Sequence, residues 1–171
     1  MNSLTKTRKL TRLALLITLA LILSYIETLI PAIPIPGAKL GLANVVTLIA
    51  LCSMTFWDAF IIVIFRTIIS SLLFTSLSAL MYSLPAGLVC LVAMYFLLKA
   101  IKKNDGLITV SLISAVLHNM TQLLVAVIIL ETVRLSYLAP WLIILAIPTG
   151  LFVGISAKYL NKYLSKRLGN Y

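Results

Sequence analysis

Long apolar runs separated by short polar stretches dominate the chain, and this pattern predicts helices that cross a membrane. A helix needs about 20 apolar residues to span the hydrocarbon core of a bilayer. The breaks between runs have the composition of turns, such as PAIPIPGAKLG after the first run and KKNDG after the fourth. The pattern predicts one transmembrane domain over residues 1–171, an all-α bundle of six helices at Leu10–Ile30, Leu40–Met54, Trp57–Ser76, Ala79–Leu98, Leu107–Leu130 and Tyr137–Tyr159.

Composition strengthens the membrane assignment. The chain is 62% hydrophobic and 11% charged, with a mean hydropathy of +1.14, whereas soluble domains carry roughly 25% charged residues. The net charge of +10 would suggest nucleic acid in a soluble protein. Here the basic residues form clusters between apolar runs, which indicates membrane topology and anionic lipid headgroups instead. We therefore expect a multi-pass protein of a cell membrane that does not bind nucleic acid.

The positive-inside rule predicts the orientation of the bundle. With six spans, one side holds eleven Lys and Arg residues, and the other side holds Lys39 and Arg134. This bias predicts that both termini are cytoplasmic. The eleven residues are Lys6, Arg8, Lys9, Arg12, Lys99, Lys102, Lys103, Lys158, Lys162, Lys166 and Arg167.

The sequence lacks the residues that several kinds of chemistry require. No glycine-rich phosphate loop ends in Lys-Ser or Lys-Thr, so the chain cannot drive transport by its own nucleotide hydrolysis. Asp58 and Asp105 are far apart in sequence and offer no paired-carboxylate magnesium site. One histidine with two cysteines, Cys52 and Cys90 in separate apolar runs, gives no convincing zinc site. We expect no catalytic residues, no metal and no cofactor.

Polar residues inside the predicted spans are the candidate functional groups, because each is costly in hydrocarbon without a partner. In the fifth span, Ser111, Ser114, His118 and Gln122 share one helical face, and Asn119 adjoins it. They predict a polar pocket that opens outward. Its candidate ligand-binding residues, from several spans and the first loop, are Glu27, Lys39, Asn44, Arg66, Ser70, His118, Asn119 and Gln122.

Each of these groups also has a structural interpretation. His118 can hydrogen-bond a neighbouring helix, and Asn119 and Gln122 can join helices together. Glu27 can lie in interfacial water at the outer end of the first span. Arg66 can form a salt bridge with Glu27 that only holds helices together. Near the bilayer centre an arginine costs at least about 2.5–3.5 kcal/mol, which favours a functional use of Arg66.

Small residues recur every four positions in three of the spans. Ala146, Gly150 and Gly154 form such a face in the sixth span, and helix four carries one at Ala79, Ser83 and Gly87. Faces of this kind let helix backbones approach closely. We expect both to pack inside the bundle. In the first span, Ala14 and Thr18 form a small face that is a candidate docking site for a partner subunit.

Four stretches together resemble one family. SYIETLIPAIPIPGAKLGLANVVTL, IFRTIISSLLF, MYSLPAGL and AVLHNMTQLLVA look like the Gx transporter family, also labelled heptaprenyl diphosphate synthase component I. The chain also resembles the S-components of energy-coupling factor transporters in size, helix number and topology. These S-components bind vitamin-like molecules and work with a transmembrane coupling subunit and ATPases, docking through small residues of their first helix.

The resemblance implies a bacterial, membrane-embedded binding subunit whose ligand is a flavin or a prenyl or quinone precursor. Three function classes remain open. The first is an S-component-like ligand binder with a coupling subunit and ATPases as partners. The second is a non-catalytic membrane accessory of isoprenoid or menaquinone synthesis or of flavin-dependent extracellular electron transfer. The third is an independent carrier coupled to protons through Glu27 or His118.

Overall fold

A computed structural model describes residues 3–30, 41–101 and 106–168 of the chain, with side chains over 6–30, 41–101 and 106–163. The described residues form six α-helices and one short 3-10 helix. The α-helices are α1 (Ser3–Leu29), α2 (Asn44–Ser53), α3 (Phe56–Phe74), α4 (Leu77–Ala100), α5 (Leu107–Ile129) and α6 (Ala139–Leu168). The 3-10 turn Val133–Leu138 leads into α6. The all-α prediction is confirmed for this part of the chain.

Five of the described helices are long and apolar enough to cross a membrane: α1, α3, α4, α5 and α6. The bounds of α3, α4 and α5 lie within two residues of the predicted spans, whereas α1 begins seven residues earlier and α6 ends nine residues later than predicted. The second predicted span differs, because α2 has ten residues, about 15 Å of helix, which is half of a hydrocarbon core of about 30 Å. Residues 31–40, which precede it, lie outside the described residues. Six crossings therefore remain a prediction.

An ion pair aligns the first and third helices. Lys9 Nζ of α1 lies 2.7 Å from Asp58 Oδ1 of α3. Asp58 is already held at the start of α3 by a capping box, in which its carboxylate accepts from Thr55 and its own N–H donates to the Thr55 hydroxyl. The N-terminal ends of α1 and α3 thus lie at the same end of the bundle, and the chain returns between them through α2. We call this end the basic end, since it also carries Arg8 and Arg12.

The small residues of α4 and α6 pack inside the bundle as predicted. A Cβ atom added at Gly154 would lie 2.7 Å from Ile108 Cα, and one added at Gly150 would lie 2.9 Å from Leu112 Cα. The backbones of α5 and α6 therefore touch along this glycine face. Ser111 adds a polar link, because its hydroxyl donates to the Gly150 carbonyl over 2.8 Å.

The short helix α2 forms the centre of the bundle. Its residues from Asn44 to Leu51 are all buried, and it packs against α1, α3, α4 and α6. A helix that is buried on all sides is typical of the core of a helical bundle. The core around α2 brings the polar residues of several helices to the same depth.

Cysteine labelling tests the orientation. In a variant without Cys52 and Cys90, a cysteine at Ser136 in the exposed 3-10 turn should react with an impermeant thiol reagent in whole cells. A cysteine at Lys158, exposed near the other end of α6, should react only after the cells are opened. This result is expected from the basic bias of the cytoplasmic side. The reverse labelling pattern would overturn the predicted orientation.

Candidate functional site

Arg66 is the centre of a buried polar cluster. It lies midway along α3 and is 7% exposed, the only buried Lys or Arg side chain among the described residues. Its Nη2 donates to Asn44 Oδ1 of α2 over 2.7 Å. Gly87 of α4 makes room for the guanidinium, because a Cβ there would lie 3.8 Å from Arg66 Nη2 and 3.1 Å from Val63 Cγ1. Three helices thus hold the arginine in place.

The start of α2 sets the depth of the cluster. At 1.5 Å per residue, Asn44 lies about 14 Å above Ser53, and Arg66 lies about 15 Å above Phe56. The tight turn between the two helices therefore brings Asn44 and Arg66 to the same level, near the middle of the bundle. The second span was predicted to begin at Leu40, whereas α2 begins at Asn44.

Gly41 makes the turn that begins α2. Its φ is +85°, a conformation that costs residues with a Cβ about 1–2 kcal/mol, and its carbonyl accepts from Asn44 N over 2.9 Å. A Cβ at Gly41 would lie 2.8 Å from Asn44 Nδ2 and 3.4 Å from His118 Cδ2. The turn, Asn44 and the His118 ring of α5 are therefore in close contact. The predicted set lacks Gly41, although a glycine shortly before a helix is a recognisable turn signal.

Glu27 joins the outer part of α1 to this turn. Its Oε1 accepts a hydrogen bond from the Leu42 N–H, and its carboxylate lies within electrostatic range of Arg66. Ser24 and Ala20 share its buried face of α1. The buried carboxylate thus offsets the buried guanidinium, and it stabilises the N–H groups at the start of α2.

A small cavity lies among these groups. Its volume is about 10 Å³, the room that one water molecule needs. The cavity brings together four residues of the predicted set, Glu27, Arg66, Ser70 and His118, and adds some that the set lacks. These additional lining residues are Ser24, Gly41, Thr67 and Ser83. Among the described residues these polar groups therefore enclose only a small space, and a pocket that opens outward stays a prediction.

The two carboxamides of α5 lie deep in the bundle. Asn119 and Gln122 are 1% and 2% exposed. Asn119 Nδ2 donates to the Leu142 carbonyl of α6 over 2.9 Å, so this side chain joins α5 to α6. Its Oδ1 has no hydrogen-bond partner among the described residues. Asn119 therefore joins two helices, which is one of the interpretations that the sequence left open. Its Oδ1 atom can still accept a hydrogen bond.

The remaining predicted residues lie elsewhere. Lys39 falls outside the described residues. Ala14 and Thr18 of α1 are both exposed, and the Thr18 hydroxyl donates to the Ala14 carbonyl over 2.9 Å. This bond satisfies the threonine within its own helix, so the small face of α1 presents little polarity to its surroundings.

The fold and the cluster define a class: a polytopic helical membrane protein with a polar site buried between its helices. A model of the heptaprenyl diphosphate synthase component I family matches residues 16–160. The chain belongs to this family. No curated protein and no solved structure matches the chain.

Proposed function

We propose that this chain is a non-catalytic, membrane-embedded substrate-binding subunit that resembles the S-components of energy-coupling factor transporters. Its ligand is a small vitamin-like molecule, a flavin or a prenyl or quinone precursor. The observation that carries this proposal is the buried arginine held by Asn44 at mid-depth. A charge at this depth costs several kcal/mol, and such residues face functional cavities as a rule.

The hydrogen bonds of Arg66 support a ligand role. A guanidinium has five N–H donors, and Asn44 accepts from Nη2. Arg66 Nε is buried and has no hydrogen-bond partner among the described residues. An unmet donor of a buried cation is costly, and a ligand carboxylate, phosphate or carbonyl group would meet it. A site that binds such a group explains why the donor is kept.

Binding of a vitamin-sized ligand requires the cavity to open. Pockets for small molecules measure about 300–1,000 Å³, far more than the cavity beside Arg66. We propose that α1 is the wall that moves. Among the described helices it packs against α2 and α3, and it contributes Ser24 and Glu27 to the cavity lining. Displacing its outer end would expose Arg66 and His118.

The partners follow from the same proposal. The sequence has no nucleotide-hydrolysis motif, so energy for transport comes from separate ATPases through a transmembrane coupling subunit. The exposed face at Ala14 and Thr18 is the proposed docking surface for that subunit. Because this face lies on α1, docking and the opening of the cavity would involve the same helix.

Replacing Arg66 tests the ligand site. The protein is purified in mild detergent, and small molecules that remain bound are extracted and identified by mass spectrometry. We expect Arg66→Gln to retain at least tenfold less of the bound molecule, about 1.4 kcal/mol in affinity, because the cationic donor is lost. Lys158→Gln is the matched control, since it removes a positive charge from an exposed position of α6.

Thermal melting in detergent separates binding from packing. If Arg66→Gln keeps the bound molecule at wild-type stoichiometry and only melts earlier, then Arg66 joins helices and the ligand site lies elsewhere. Adding His118→Ala to the comparison probes a second helix of the same cavity. It should lose the molecule as well, while Lys158→Gln keeps both the molecule and the melting temperature.

A second function is favoured by the family description, which calls the protein a component of heptaprenyl diphosphate synthase. In that case the chain is a membrane accessory that holds a soluble prenyl-transferring subunit or its product at the bilayer. The proteins that co-purify distinguish the two functions. A transmembrane subunit with ATPases indicates transport, whereas a soluble isoprenoid enzyme indicates the accessory role.

A further inference from the structure

A second, wider cavity lies at the basic end, away from the cluster around Arg66. It is an open cleft of about 440 Å³ between the start of α1 and the turn from α2 to α3. Its volume falls within the range of small-molecule sites. Asp58 and Arg66 are eight residues apart on α3, about 12 Å along the helix, so the cleft is a separate site. Its lining residues are Arg8, Lys9, Arg12, Ser53, Met54, Thr55 and Asp58.

The cleft carries excess positive charge. Lys9 pairs with Asp58, the carboxylate of the cleft. Arg8 and Arg12 are exposed, and neither forms a salt bridge with a carboxylate among the described residues. The positive-inside rule accounts for basic residues at this end of the bundle. It does not require that two arginines line one concave cavity.

The spacing of the arginines suits a phosphate group. Arg8 and Arg12 lie one helical turn apart on the same face of α1, with Cβ atoms about 5–6 Å apart. Two guanidinium groups at this spacing can bind the oxygen atoms of one phosphate or diphosphate with paired hydrogen bonds. Thr55 and the N-terminus of α3 also line the cleft, but the Asp58 carboxylate already accepts from the Thr55 hydroxyl there, so the two arginines are the groups left to bind a phosphate.

We propose that this cleft binds a phosphate-bearing headgroup, a phosphate monoester or diphosphate, at the membrane surface. Arg8 and Arg12 bind the phosphate, and Lys9 and Asp58 hold α1 and α3 together as the walls of the site. The apolar sequence of α1 begins directly after Arg12, with Leu13, Ala14, Leu15 and Leu16. A lipid whose phosphate lies in the cleft can therefore extend its chain along α1. This assignment is independent of the ligand site around Arg66.

Native mass spectrometry of the full chain in mild detergent tests the cleft. The probes are dioleoyl phosphatidic acid, which carries a phosphate monoester, and dioleoyl phosphatidylcholine, which is zwitterionic. We expect the wild-type protein to bind phosphatidic acid preferentially. The Arg8→Gln/Arg12→Gln variant should bind it at least tenfold more weakly. The control Lys158→Gln/Lys162→Gln removes the same charge from exposed residues of α6 and should keep the wild-type affinity.

A conservative variant and a competing ligand extend this experiment. Arg8→Lys/Arg12→Lys keeps the charge without the paired geometry, so its affinity should fall between those of the wild type and the glutamine variant. Inorganic diphosphate as a competitor identifies the source of the phosphate. If it displaces phosphatidic acid, the cleft recognises phosphate in free or lipid form; if it does not, the cleft requires a membrane-borne headgroup.

Two results would overturn the proposal. One is equal weakening in the arginine and lysine double variants, which would mean that only overall charge matters. The other is equal binding of phosphatidic acid and phosphatidylcholine by the wild-type protein. Melting temperatures measured on all variants show whether a loss of binding follows from unfolding, which the exposure of Arg8 and Arg12 makes unexpected.

Discussion

Gly154→Ala should lower the melting temperature of the protein in detergent, with a loss of roughly 1–3 kcal/mol in stability. The added Cβ would lie 2.7 Å from Ile108 Cα and 3.1 Å from Ser111 Cβ. Ile108 Cα is a backbone atom and cannot rotate away, so α5 and α6 must separate to admit the methyl group. Their separation would also stretch the Ser111–Gly150 hydrogen bond. Gly150→Ala should act in the same direction.

Ile155→Phe is the control for this substitution. It adds a comparable volume to the same helix, but Ile155 is 44% exposed, so the larger side chain has room. The melting temperature of this variant should stay near that of the wild type. Equal destabilisation by both substitutions would mean that the loss has its cause outside the α5–α6 contact.

Gly41→Ala should disrupt the candidate site and destabilise the fold together. The positive φ at this position costs an alanine about 1–2 kcal/mol, and its Cβ would lie 2.8 Å from Asn44 Nδ2. The Asn44 side chain must then shift, and we expect this to weaken the hydrogen bond that its Oδ1 accepts from Arg66. We expect both an earlier melt and at least a tenfold loss of the molecule that co-purifies with the wild-type protein.

Gly87→Ala provides the matched comparison. It lies against the same arginine, but its φ is not positive, and its nearest neighbour is the Val63 Cγ1 atom at 3.1 Å. A valine side chain can shift by a few tenths of an ångström, so this variant should lose much less stability. If Gly87→Ala lowers the melting temperature as much as Gly41→Ala does, the positive φ of Gly41 is not the cause of the lost stability.

The long helices were predictable because their lengths follow from the thickness of a bilayer. Breaks such as Thr75–Ser76 between α3 and α4 are short, yet Ser76 caps α4 by accepting from Ala79 N, and residues of this kind mark helix starts. The start of α2 was not predictable from hydropathy. Leu40, Leu42 and Ala43 are as apolar as the helix that follows, and only the backbone conformation of Gly41 fixes where the helix begins.

The site was predictable in its residue types and less so in its pairings. Intramembrane polarity alone selected Arg66, Asn44 and His118, which the structure brings together. The partner of Asn119 is a backbone carbonyl of α6, and every residue has such a carbonyl, so no sequence signal distinguishes it. Thr67 went unnoticed because its hydroxyl can donate to the Val63 carbonyl of its own helix, as threonines in helices commonly do.

The central position of α2 has a consequence for how the protein is made. A ten-residue helix is too short to cross a bilayer by itself, so we expect α2 to depend on neighbouring helices for its place in the bundle. One side of it packs against α6, and Thr149 and Val153 of α6 line a small space beside Asn44. The ribosome produces α6 after the other five described α-helices. The surroundings of Asn44 are therefore completed only once α6 has been synthesised, and a nascent chain that stops after α5 carries an unfinished site.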